Sequence, residues 1–245
     1  MTFMTIRKDT NQLHNDPIYR RKVAWIWASL EAKRQLNFFD GYLCNKARLA
    51  NISEEDLRDF ARYYSVARSV TFSDPESGYK SLSRKLKDSH FITAPPQRKY
   101  NQLLSLFKKI CSRGSGTTFS AKLTWFYHPD EWPMSDTLAK DALAMYYPRG
   151  KKTYAKQNYP EAIKSVFTTK ELEIVRNLIS STKTEYPYAL RIVDKYLFLV
   201  GSGNLDNNSV AWIDWMNWMI DQSPATINDS DIEAIIDELG YMPKY

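Results

Sequence analysis

Residues 119–136, FSAKLTWFYHPDEWPMSD, decide how this chain reads. Just ahead of them, Arg113-Gly114-Ser115-Gly116-Thr117-Thr118 supplies a flexible turn. A short helix is expected to leave that turn and run through Lys122 to Tyr127. His128 to Ser135 holds two prolines and reads as a loop, and the next helix is expected to open at Asp136 and reach about Tyr146. Folding such a loop back on itself would bring Lys122 and Asp136 to the mouth of one cleft.

Outward from this stretch the apolar residues keep a helical period. Asp16-Pro17 is a start signal for a helix over 18–36, with Val23, Trp25, Ile26 and Leu30 among Arg and Lys. Ser53 followed by Glu54, Glu55 and Asp56 opens a second, whose Leu57, Phe60, Tyr64 and Ala67 return at three- and four-residue steps. Ser73 to Tyr79 contains Pro and Gly and is expected to break the pattern, and Thr93-Ala94-Pro95-Pro96 to act as a rigid connector. A helix over 99–112 buries Leu103, Leu104, Phe107 and Ile110, and further helices are expected near 160–182, 185–200, 209–222 and 229–239. The fold class expected is all-α: one compact helical bundle spanning 1–245, with N-terminal helices over 1–95 and core helices over 96–245. The connector at 93–96 reads as a loop inside that bundle.

Composition narrows the function. Apolar residues make up 43% of the 245, which argues against disorder. Seven Trp and sixteen Tyr supply core volume and are also rings on which nucleobases stack. A net charge of +6 leans toward a polyanionic partner. Two cysteines, Cys44 and Cys111, are too few for an iron–sulfur cluster or a structural zinc, and His14, His90 and His128 lack ligand spacing. No metal or other cofactor is therefore expected. The polar start and the lack of a long apolar run predict a cytoplasmic chain with no membrane span.

Lys122 and Asp136 suit one reaction. Breaking an N-glycosidic bond builds positive charge on the sugar, which a fixed carboxylate stabilises. A lysine whose pKa is depressed by desolvation can attack C1′ as a neutral amine and form a Schiff base, which also allows strand cleavage by elimination. By residue type alone both have plainer readings: Asp136 as a helix N-cap, Lys122 as a solvated face residue.

The spacing Lys-x-x-x-Phe-x-x-Pro-x-x-x-Pro-x-x-Asp, carried by Lys122, Phe126, Pro129, Pro133 and Asp136, resembles bacterial proteins with an 8-oxoguanine-glycosylase-like fold. These belong to the helix–hairpin–helix glycosylase superfamily. A second stretch, Arg191-Ile-Val-Asp194-Lys195-Tyr-Leu197-Phe198-Leu-Val-Gly201, is similar to a late element of the same group. The resemblance covers roughly 114–146 and 185–205. It implies that Lys122 is the Schiff-base lysine, that Asp136 is the catalytic aspartate, and that a helix–hairpin–helix element lines the cleft. Family hairpins place Gly-x-Gly two residues before the lysine, whereas here Thr117 to Ala121 separate Gly114 and Gly116 from Lys122.

On this reading a monomer flips a damaged or modified base out of double-stranded DNA and excises it. The target is oxidised guanine or a hypermodified base of phage DNA, in repair or in phage defence. Gly114 and Gly116, with Arg149, Lys151, Lys152 and Lys156, are the expected DNA contacts, and Trp125, Tyr127 and Trp132 the expected base pocket. Arg84, Lys85, Lys87, Arg98 and Lys99 read as ordinary surface, as Asp194 reads as an ion-pair partner of Arg191 or Lys195. Trp212, Trp215 and Trp218 form a stripe expected in the core. The alternatives are a non-catalytic DNA-binding module on the same fold and a protein–protein scaffold whose Trp residues mark an interface.

Overall fold

The computed structural model describes residues 17–169, 172, 173, 175 and 188–202, with side chains from Ala24 onward. The described chain is helical, as expected; its one sheet is a two-stranded antiparallel ladder. It divides into two compact units, one of residues 35–135 and one of residues 1–34 with 136–245. The boundaries fall at 34/35 and 135/136, so the connector at 93–96 is internal to one unit.

The 35–135 unit begins with a π-helical turn, Leu36–Asp40, followed by α2 (Gly41–Arg48). The helix before them, α1 (Pro17–Gln35), belongs almost wholly to the other unit. Ser53 opens α3 (Glu54–Tyr63) with a reciprocal capping box, its hydroxyl accepting from Asp56 N and its own N–H donating to Asp56 Oδ2. The expected break at 73–79 is instead a helix start. Asp74 caps and Pro75 takes the first position of α4 (Pro75–Leu86), where a missing N–H costs nothing. Gly78 lies within α4 because Phe72 packs where its Cβ would be, 2.6 Å away.

A single turn, α5 (Ser89–Ile92), leads through the proline pair into α6 (Pro96–Ile110). The chain then turns extended as β2 (Cys111–Arg113), pairing with β1 (Thr71–Phe72), before α7 (Thr117–Tyr127). The ladder replaces the last residues of the expected 99–112 helix. Phe60, Phe107, Phe119 and Phe126 make the core: Phe119 lies 5.0 Å from both Phe60 and Phe107, and Phe126 meets Phe60 edge-on at 5.8 Å. Burying each such ring is worth roughly 2–3 kcal/mol.

The second unit is built on α1 together with α8 (Thr137–Ala144), α9 (Lys152–Gln157), α10 (Tyr159–Val166) and α11 (Ala189–Gly201). Trp25 stacks on Tyr196 at 3.9 Å and meets Phe167 edge-on at 6.2 Å. α8 and α11 approach closely because Gly201 has no side chain, and a Cβ there would lie 2.0 Å from the Leu138 carbonyl oxygen. The expected helix over 160–182 is matched by α10 at its start and that over 185–200 by α11; those over 209–222 and 229–239, with Trp212, Trp215 and Trp218, lie outside the described residues. No helix among the described residues is long and apolar enough to cross a membrane.

Candidate functional site

Gly114 and Gly116 both adopt positive φ, at 90° and 67°. A Cβ on Gly114 would lie 2.1 Å from the Ser69 carbonyl oxygen, and one on Gly116 would lie 2.3 Å from the Phe107 ring. The turn therefore needs glycine on both steric and conformational grounds. It sets α7 against α6, and α7 is buried on every side from Phe119 to Phe126. Lys122 is at the middle of this apolar helix, 8% exposed, with Nζ 4.8 Å from the Tyr64 ring centroid. A lysine so placed is not a solvated face residue. The Tyr64 ring that receives the ammonium also packs near Phe126, and its hydroxyl donates to Asp40 in the π-helical turn.

Asp136 opens α8 in the other unit. Its backbone is extended, and its Oδ1 accepts from Ala139 N at 2.9 Å, which makes it an N-cap held in one orientation. One turn on is Lys140, whose ammonium burial pushes below its ordinary pKa while the nearby Asp136 and Asp194 carboxylates act the other way. Asp194 on α11 is buried, accepting from the Tyr159 hydroxyl at 2.7 Å and from Arg191 Nη1 at 3.4 Å. Burial, then the charge of Asp194, holds the Tyr159 phenol well above its ordinary value. Of the two expected partners Asp194 takes Arg191, while Lys195 reaches Glu31 at 4.0 Å. Tyr159 is the partner that the sequence did not suggest.

Of the expected base pocket, two of the three rings are buried. Trp125 has no exposed surface and meets Phe126 edge-on, and Trp132 is buried beside Tyr100. Tyr127 donates its hydroxyl to the Leu86 carbonyl, packs edge-on against Phe91, and has its pKa raised by burial. Trp125 and Trp132 thus pack the 35–135 core, whereas Tyr127, at the end of α7, is half-buried.

The basic segment is exposed only in part. Arg149 and Lys151 form a short 3-10 turn on the surface, Lys152 is half-buried, and Lys156 is exposed but paired with Asp141 at 2.6 Å. Lys85, Arg98 and Lys109 line a shallow groove of about 420 Å³ between α4 and α6 with Asn101, Gln102 and Ser105.

Lys99, expected on the surface, is 1% exposed. Its Nζ donates to the carbonyls of Ile92 at 2.6 Å and Ala94 at 2.5 Å, and lies 3.0 Å from His128 Nε2. Pro95 and Pro96 leave the Ile92 carbonyl without an N–H donor three or four residues on, and a lysine one turn into α6 supplies it. Burial lowers the Lys99 pKa, and it lowers that of His128, to which the Lys99 charge adds. Pro95-Pro96 followed by a lysine was the available signal.

Among the described residues no group of His, Cys, Asp and Glu could hold a metal ion. Comparison of the chain with family models, with curated proteins and with solved structures finds no match.

Proposed function

We propose that the protein is a DNA glycosylase that flips a damaged or modified base out of double-stranded DNA and removes it as a monomer, with Lys122 as nucleophile and Asp136 as the stabilising carboxylate. The observation that carries this reading is the lysine buried at mid-helix, its ammonium on an aromatic ring behind a turn that only glycine can form. A desolvated amine is the form of lysine that serves covalent catalysis. The neutral Nζ attacks C1′, and the N-glycosidic bond breaks with its electron pair leaving on the base, which takes up a proton. The sugar ring then opens as Nζ loses its protons and the imine forms. Asp136, with its orientation fixed by the cap, stabilises the positive charge that develops on the sugar. The exposed Arg149 and Lys151 and the half-buried Lys152 suit phosphate contacts.

Borohydride added during turnover on oxidised, alkylated or phage-derived modified DNA should trap a protein–DNA adduct, with the released base identified by mass spectrometry. Lys122→Ala should abolish trapping. Asp136→Asn should keep DNA binding and lose base release, because asparagine caps a helix about as well but carries no charge. Base release by Lys122→Ala would make water the nucleophile. Binding without release on every DNA would leave a non-catalytic binding module.

A further inference from the structure

The positive charge of the 35–135 unit is concentrated on α4, α6 and the chain between them. Residues 75–110 hold eight Lys and Arg against two acids, Glu76 and Asp88, while the rest of the unit holds seven against eight. Lys99 is buried and spent on backbone carbonyls, which leaves seven cations toward solvent.

Helical spacing arranges most of them in two stripes. On α6, Arg98, Asn101, Gln102, Ser105 and Lys109 recur at three- and four-residue steps and share a face. On α4, Ser81, Arg84 and Lys85 do the same, and Lys87 and Asp88 follow at its end. The stripes line two hollows, of about 420 and 640 Å³, which share Lys85 and Leu106 and so form one groove. Its single acid, Asp88, is taken by Lys85 at 3.1 Å. Glu76, at the other end of α4, lines neither hollow. Arg84, Lys87, Arg98 and Lys109 are exposed, and none of them pairs with a carboxylate among the described residues.

Like charges held along one groove repel each other, and a surface without a charged partner normally intersperses both signs. A polyanion laid in the groove relieves that repulsion. Arg98 and Lys109 stand eleven residues apart, about 16 Å along α6. A single phosphate cannot reach both, whereas one strand of duplex DNA carries a charge every ~3.4 Å of its axis. The side-chain oxygen of Asn101 accepts from Gln97 at 3.1 Å, which leaves its amide N–H groups for a phosphate oxygen. We propose that this groove binds the phosphodiester backbone of double-stranded DNA through Arg84, Lys87, Arg98 and Lys109. The groove deepens the glycosylase reading and rests on it for the choice of DNA among polyanions. It puts backbone contacts on the unit that carries Lys122, in addition to those proposed at Arg149, Lys151 and Lys152.

The test measures binding of an unmodified DNA duplex over a series of salt concentrations for two doubly substituted proteins. One carries Arg98→Gln with Lys109→Gln. The other carries Lys80→Gln with Lys108→Gln, which removes the same charge from exposed positions of α4 and α6 that line neither hollow. The groove pair should flatten the log–log salt dependence by about 1.8 units, at roughly 0.9 per lost phosphate contact, and the second pair should leave the slope as in the native protein. Equal flattening by both pairs would reduce the effect to net charge and overturn the groove, as would an unchanged slope in the groove pair or no duplex binding by the native protein. Phosphatidylserine vesicles that bind the native protein as tightly as the duplex, and lose it with the groove pair, would assign the groove to a membrane surface instead. Borohydride trapping separates the two readings. If no adduct ever forms at Lys122 but the groove pair alone flattens the slope, the glycosylase reading falls and the groove stands; if the adduct forms and the two pairs behave alike, only the groove falls.

Discussion

Gly201→Ala sets two effects of opposite sign against each other. On propensity alone, alanine within a helix is favoured over glycine by about 1 kcal/mol, and Gly201 closes α11 without needing positive φ. The contact argues the other way. The new methyl carbon would lie 2.0 Å from the Leu138 carbonyl oxygen, against an ordinary contact of at least 3.4 Å. α8 and α11 would have to move apart by about 1.4 Å, and the oxygen concerned is backbone, which cannot rotate away. Overpacking of this kind typically costs ~1–3 kcal/mol, or roughly 2–12 °C in Tm for a chain of this size. Asp136 caps α8, so the same displacement moves the carboxylate, and on the proposed reading a misplacement of about 1 Å would cost on the order of a hundredfold in rate. Thermal unfolding read beside base release tests both consequences. A Tm equal to or above that of the native protein, with base release intact, would refute the close approach of α8 and α11 and the link from α11 to Asp136.

Two further predictions concern charge. Changing Lys151 and Lys152 together to Gln should weaken DNA binding evenly across sequences and flatten the log–log salt dependence by about 1.8 units, at roughly 0.9 per lost phosphate contact; an unchanged slope would return the segment to ordinary solvated surface. His128 gives a pH dependence. Burial, and then Lys99, hold its folded pKa below the usual value, so just below pH ~6.5 the unfolded chain binds more protons than the folded one and stability falls with pH. The urea midpoint of the native protein should exceed that of His128→Gln by a margin that narrows from pH 8 to pH 5, and a constant margin would mean that His128 does not titrate in this window.

The helical class was legible because it rests on local patterns that the chain repeats. Ser53 with Asp56 three residues on is a helix start whatever surrounds it, and both reciprocal bonds form. Pro75 misled because proline ends a helix and also begins one; Asp74 immediately before it was the cue for a start. The ladder of β1 and β2 was illegible for a different reason. Two strands of two and three residues, forty positions apart, carry no period of their own and exist because Gly114 brings the chain against Ser69.

Burial was the harder property to read, and the lysines show why. Lys99 and Lys122 look alike in sequence, each on a helix beside aromatic residues, yet the first was assigned to the surface and both are buried. What differs is what meets each ammonium. Lys99 finds two backbone carbonyls, one of them, that of Ile92, left without a donor by a proline pair, a local cause that the sequence contains. Lys122 meets Tyr64, a ring nearly sixty residues earlier, whose hydroxyl is committed to Asp40 a further twenty-four residues back. No window along the chain reports that arrangement. The Lys99 ammonium donates to two carbonyls and lies against His128, where it acts as a structural cap. The two burials therefore differ in range along the chain, local for Lys99 and long-range for Lys122.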